Sequence, residues 1–259
     1  MKQALESAFD IPFCVRSGEQ EYIIWPDNEM KEYFEIRISS RSGVRIIIES
    51  YPQDHAADML NDMATASEEK KALFLGYRDT FIKKGCRVNI RINNIDSDLT
   101  EWPAHWKNLY IRITKITDAE LSFEETATEW AVLAAGMMLS LLNVVPVESE
   151  VTGYADGQEK QILANRYERN RLNRELCLQA NGYACHICGF DFERKYGIIG
   201  KHFIHVHHVE QLSLSGGAHI IDPVHDLIPV CPNCHAMLHT QTPPLLPEQL
   251  IKIIKENSH

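Results

Sequence analysis

Apolar residues in the first 116 positions come in short bursts with period two. Residues 33–39 (YFEIRIS), 86–92 (CRVNIRI) and 108–116 (NLYIRITKI) alternate apolar with polar, as half-buried strands do. Residues 44–49 (VRIIIE) are β-branched and read as a further strand, joined to the first by a turn at Ser39 to Gly43. Between these strands the period lengthens. Residues 54–64 and 66–83 read as helices, divided by a capping box at Thr65-x-x-Glu68. Ser122-x-x-Glu125 opens another helix, running to about Leu142. The pattern predicts an α+β domain over residues 1–142, a mainly antiparallel sheet with helices on one side.

Residues 143–160 contain Pro146, Gly153, Gly157 and several acids, and suit a linker. Residues 161–259 form the second region. A helix from about Gln161 to Ala180 stops at Asn181-Gly182. Phe203 to Val209 reads as a strand, Ser215-Gly216-Gly217 as part of a loop, and Leu227 to Val230 as a short strand. Pro232 starts a helix, where its missing N–H does no harm. Strand, loop, strand and helix make a ββα unit.

Cysteine and histidine placement changes this picture most. Four of the seven cysteines form two C-x2-C pairs, Cys185/Cys188 and Cys231/Cys234. Two residues between thiols let both sulfurs reach one ion, and two such knuckles complete the tetrahedron that Zn²⁺ prefers. With four protein ligands that zinc has no open position, so its role is structural. Cys14, Cys86 and Cys177 lack such spacing and read as core or surface thiols. Reduced thiols and an odd cysteine count point to the cytoplasm. Met1-Lys2-Gln3-Ala4 leads into no long apolar run, so no secretory signal is expected. The most apolar stretch, Trp130 to Leu142, is too short to span a membrane.

The formal charge is −10, which by itself disfavours a nucleic-acid partner. That charge is unevenly spread. Residues 1–150 hold 16 basic and 25 acidic side chains, whereas residues 160–201 hold 8 basic and 4 acidic ones. Charges farther apart than about 10 Å are largely screened, so a basic stretch can still meet phosphate. Arg166, Arg169, Arg171 and Arg174 lie within one predicted helix and are candidate contacts to a DNA backbone. Arg37, Arg87, Arg91 and Arg112 fall on the polar positions of the predicted strands and read as a solvated face paired with Glu35 and its neighbours.

The span from about Arg166 to Thr240 resembles an HNH endonuclease domain of the ββα-metal class. The resemblance rests on Tyr183-x-Cys185-x2-Cys188-Gly189-Phe190, on Val206-His207-His208-Val209, and on Asp226 through His235 (DLIPVCPNCH). It covers under a third of the chain. Similar domains occur in bacterial restriction enzymes, in which a variable N-terminal domain chooses the DNA, sometimes by a base modification. The resemblance implies a metal-dependent cut of double-stranded DNA, leaving a 5′-phosphate and a 3′-hydroxyl, in restriction and antiviral defence. It implies His208 as general base, and His207 and His235 as ligands of a catalytic divalent ion distinct from the zinc. His239, one helical turn after His235, is a third ligand or a phosphate contact. Asp226 stands where the family has its asparagine and is a candidate catalytic residue, expected to brace the loop or to approach the metal.

Mn²⁺, Co²⁺ and Ni²⁺ suit such imidazoles better than Mg²⁺ does. Cutting two strands calls for two active sites, hence a homodimer. The competing reading is a non-catalytic zinc module that binds nucleic acid. His205 shares strand parity with His207 and is a phosphate contact or a bystander, and His186, His202, His219 and His225 read as bystanders.

Overall fold

The computed structural model describes residues 1–27, 34–41, 45–52, 57–116, 123–142, 164–209, 220–241 and 243–257. The chain divides into two compact units, Met1–Leu172 and Asn173–His259. The expected linker at 143–160, Ser122 and the loop at Ser215-Gly216-Gly217 lie outside the described residues.

The first unit is the expected α+β fold, with more strands than the pattern predicts. Helix α1 (Lys2–Phe9) leads into β1 (Phe13–Ser17), β2 (Glu21–Pro26), β3 (Phe34–Arg41) and β4 (Arg45–Pro52). Helices α2 (Ala57–Ala64) and α3 (Glu68–Lys83) follow, then β5 (Arg87–Ile92), β6 (Ile95–Ser97), β7 (Leu109–Ile116) and α4 (Phe123–Leu139). Among the described residues these strands form one antiparallel sheet in the order β1-β2-β3-β4-β7-β5-β6.

Alternation explains the sheet's core face. Ile24 lies opposite Ile36, Ile90 opposite Ile111, and Ile92 opposite Leu109, and all six are buried. Arg87, Arg91 and Arg112, of the other parity, are exposed, as the solvated-face reading requires. Arg37 pairs with Glu35 at 2.6 Å and Arg91 with Asp96 at 3.4 Å. Helix α4 is buried all round from Trp130 to Leu139 and packs on α1, α3, β3 and β4.

Local chemistry sets the helix and hairpin ends. The capping box expected at Thr65-x-x-Glu68 does not form. Ser67, in extended backbone, caps α3 by accepting from the Lys70 N–H at 3.4 Å. The Thr65 hydroxyl instead donates to the Asn61 carbonyl at 2.8 Å, closing α2. Strand β5 falls in the alternating segment 86–92, and β6 is a further strand; Asn93 and Asn94, with φ of 55° and 64°, make the two-residue turn between them.

The second unit begins within a helix. Helix α5 (Ala164–Asn181) ends where Gly182 adopts φ +81° and its N–H donates to the Leu178 carbonyl at 2.8 Å. Next come α6 (Phe192–Tyr196), a 3-10 turn (Gly197–Gly200), β8 (His205–His208), β9 (Leu227–Val230), α7 (Pro232–Leu238) and α8 (Pro247–Asn257). Strands β8 and β9 pair antiparallel, with His207 opposite Ile228 and His208 opposite Leu227. This is the expected ββα order. Its core is small: Leu178, Ile187, Ile204, Ile228, Val230, Leu238 and Leu250 pack around the cysteines. Among the described residues no helix is long and apolar enough to cross a membrane.

Candidate metal centre and histidine cluster

The four knuckle cysteines meet at one point. Their sulfurs all lie within 4.8 Å of one another, and Cys188 Sγ is 3.8 Å from Cys231 Sγ. Zinc at roughly 2.3 Å from each of four tetrahedral sulfurs would space those sulfurs about 3.8 Å apart. The donor set and its spacing therefore fit a structural zinc.

The backbone builds this arrangement locally. The Gly189 N–H returns to the Cys185 carbonyl at 2.8 Å, and Gly189 takes φ +71° to allow it. The His186 N–H donates to the Pro229 carbonyl at 2.8 Å, which fastens the first knuckle to β9. Cys231 then caps α7, its sulfur accepting from the Cys234 N–H at 3.4 Å. Burial pushes the Cys185 thiol up, but N–H groups of Cys188, Cys231 and Ile187 outweigh it and leave the thiol lowered. Oriented amides thus favour the Cys185 thiolate, whereas burial raises the Cys188 and Cys234 thiols.

A second cluster forms within the same ββα unit. His207, buried on β8, meets His235 and His239 from the end of α7, with one ligand atom of each within 4.8 Å of the others. Ring centroids are 5.3 Å apart for His207 and His235, 5.1 Å for His207 and His239, and 5.1 Å for His235 and His239. Two periodicities meet here: β8 offers alternate residues on one face, and α7 offers residues four apart. Burial first, then the neighbouring imidazoles of His235, His239 and His208, depresses the His207 pKa to about 4. His235 is lowered by burial and by His205 and His239. Three imidazoles gathered at one point, with His207 and His235 shifted toward the neutral form, are a nitrogen donor set for a divalent ion.

His205 joins this cluster. Its Nδ1 lies 3.1 Å from His235 Nδ1, a distance at which one of the two carries the shared proton. The sequence carried the signal, since His205 and His207 share strand parity, but parity could not show that α7 brings His235 over both.

His208 is the last residue of β8 and is half-buried. Burial lowers its pKa, and the Asp226 carboxylate acts in the opposite direction, with burial prevailing. Asp226 is placed beside it by backbone bonds: its carbonyl accepts from the Val209 N–H at 2.9 Å. The Asp226 Oδ2 accepts from the Asp222 N–H at 2.8 Å and so closes the turn before β9.

The four arginines of α5 have different surroundings. Arg171 pairs with Asp10 at 3.1 Å, and Arg174 donates to the Ile204 carbonyl at 2.9 Å. The side chains of Arg166 and Arg169 lie outside the described residues. Among the remaining histidines, His202 stacks on Tyr183 at 4.3 Å between ring centroids, and His225 bonds Asp222 at 2.7 Å. His219 lies outside the described residues.

Residues 185–241 match the protein family described as HNH endonuclease. This segment is an HNH domain. The match runs from the first knuckle cysteine to just past His239, so both clusters of the HNH domain fall within it. The match covers 57 of the 259 residues, and the description it carries is that of an endonuclease. No curated protein and no solved structure matches the chain.

Proposed function

We propose that the chain is a metal-dependent DNA endonuclease that hydrolyses phosphodiesters to a 5′-phosphate and a 3′-hydroxyl. The observation that carries this reading is the convergence of His207, His235 and His239 beside a separate four-cysteine cluster. A structural module needs only the cysteines, whereas three imidazoles gathered at a second point serve an exchangeable ion.

His207, His235 and His239 would hold the divalent ion. When bound, that ion supplies positive charge to the scissile phosphate and to the leaving oxygen. His208 is the general base. Its lowered pKa keeps the imidazole neutral at pH 7, so it can accept a proton from water, and the Asp226 carboxylate stabilises the imidazolium that results. Asp226 also braces the turn through the Asp222 N–H, the part a neutral asparagine would otherwise play. His205 accepts the Nδ1 proton of His235 and turns the opposite nitrogen of that ring toward the ion. Arg174 keeps donors beyond the one spent on Ile204 for a DNA phosphate, and Arg166, Arg169 and Arg171 precede it in the sequence as further candidate contacts, Arg171 on leaving Asp10.

The biological role we infer is restriction of foreign DNA in the cytoplasm by a homodimer. Residues 1–142 choose the target, including modified bases, and residues 161–259 cut it. Imidazole ligands favour Mn²⁺, Co²⁺ or Ni²⁺ over Mg²⁺.

The test is nicking of supercoiled plasmid by the full chain and by His208→Ala, with each divalent ion in turn. Nicking by wild type in Mn²⁺, Co²⁺ or Ni²⁺, and its loss in His208→Ala, is the expected result. DNA binding without nicking in any of the ions would replace this reading with that of a non-catalytic zinc module. Matched plasmids with and without base modification test the role of the first unit.

A further inference from the structure

Between the first knuckle and β8 the HNH domain carries a projection that the proposed chemistry does not use. Asp191 caps α6, its side chain accepting from the Arg194 N–H at 2.9 Å. Gly197 takes φ +68°, and a Cβ at Gly200 would run into the Phe192 carbonyl. The 3-10 turn is thus folded tightly back on α6. This closure turns Ile198 and Ile199 outward, 77% and 84% exposed. In the same projection the Phe192 ring packs against Tyr196 and Phe203, with centroid separations of 5.9 Å and 4.8 Å, and the latter two rings are also exposed. Two neighbouring isoleucines presented to water on a braced tip are not accounted for by packing.

The charge around the tip indicates its occupant. Residues 191–202 contain Arg194, Lys195 and Lys201 against Asp191, which caps α6, and Glu193, a local excess of positive charge within a chain of net charge −10. All three cations are exposed. Three exposed cations against two carboxylates beside an apolar tip suit the phosphates of DNA. The projection is also continuous with the histidine cluster. Phe203 lies 6.3 Å from His205, ring to ring, and His205 touches His235.

We propose that Ile198 and Ile199 form an apolar wedge that enters the minor groove of duplex DNA and unstacks a base step, with Arg194, Lys195 and Lys201 holding the flanking phosphates. Apolar side chains inserted in this way kink the duplex and bring more of it against the protein. The inference rests on the endonuclease reading for its substrate, since that reading puts a duplex at the neighbouring histidines. A wedge beside the cutting site would favour easily unstacked pyrimidine–purine steps.

The experiment uses the full chain in a His208→Ala background, to prevent cleavage, and a duplex with 2-aminopurine at a central TA step. Binding should raise the 2-aminopurine fluorescence as the step unstacks. Ile198→Ser with Ile199→Ser should abolish that rise and weaken binding about tenfold while leaving its salt dependence unchanged. Lys195→Ala with Lys201→Ala should flatten the salt dependence. Both positions are exposed, and unchanged zinc content confirms that the variants fold.

Equal affinity and an equal fluorescence rise in the double serine variant would overturn the wedge, as would failure of the parent to bind duplex. A dimer by light scattering that the serine substitutions dissolve, with DNA binding unchanged, would assign the tip to self-association and overturn it as well. The two readings fail separately. A chain that never nicks but loses its unstacking signal with the serines keeps the wedge and loses the nuclease. A chain that nicks, and unstacks equally with and without the isoleucines, keeps the nuclease and loses the wedge.

Discussion

Replacing His205 tests how the histidine cluster is organised. Its Nδ1 sits 3.1 Å from His235 Nδ1, and only a single proton fits between them. If His235 gives its other nitrogen to an ion, His235 is the donor and His205 the acceptor. A neutral hydrogen bond of this kind contributes about 0.5–1.5 kcal/mol net. His205 is exposed, so water can take its place in the alanine variant and the cost stays near that range rather than rising to a desolvation penalty. A loss of about 1.4 kcal/mol is tenfold in affinity, at the lower end of the 10- to 100-fold known for such outer partners.

The expected result is that His205→Ala, in protein carrying its sulfur-bound zinc, binds Co²⁺ about tenfold more weakly by calorimetry. The visible spectrum of the bound Co²⁺ should shift as the His235 ring loosens. His205→Glu supplies a charged acceptor to the same N–H and should restore the affinity or exceed it. Equal Co²⁺ affinity in wild type and His205→Ala would refute the reasoning, as would a glutamate variant weaker than alanine.

Other outcomes follow from the same coordinates. Cys231→Ser removes one of four sulfurs from the first cluster, so zinc content should fall from one equivalent at that site to none and α7 should become open to trypsin. Full zinc retention would count against the four-cysteine site. His207 has a folded pKa of about 4 against an ordinary 6.5, so the unfolded chain takes up a proton first as pH falls. Stability present above pH 6.5 is therefore lost between there and about 4; from pH 7 to 5 the loss should be roughly 2 kcal/mol in protein without a divalent ion at the histidines. Hydrogen exchange at the β8 amides reads this, and a His207→Gln variant with an undiminished slope would contradict it. Gly136→Ala should destabilise the first unit by about 1–3 kcal/mol, because the added Cβ meets the Tyr77 ring and this outweighs the roughly 1 kcal/mol gain in helix propensity. Urea unfolding followed by fluorescence reads that unit, since all four tryptophans (Trp25, Trp102, Trp106 and Trp130) lie in it.

Strands β1 and β2 are not legible in the sequence because Phe13–Ser17 and Glu21–Pro26 are short and do not alternate cleanly; their pairing across five ladder positions is what makes them strands. Helix α8, with Leu250 buried, contains no residue of the cysteine and histidine pattern. The α3 cap went to Ser67 rather than Thr65 because two hydroxyls compete within three residues, and backbone geometry decides between them.

Read as a string, the chain settles whatever depends on spacing between near neighbours. Two C-x2-C pairs, a histidine doublet and an i, i+4 histidine pair are local patterns, and each confines its ligands to one knuckle, strand or helix face before any tertiary contact exists. Only the folded molecule decides which of these local sets share a point in space. The β8–β9 register and the crossing of α7 over β8 put His207 with His235 and His239, add His205, and leave His208 beside Asp226. Those choices depend on backbone bonds between residues as far apart as His186 and Pro229, and on side chains buried around them. Periodicity carries no information about partners at that distance.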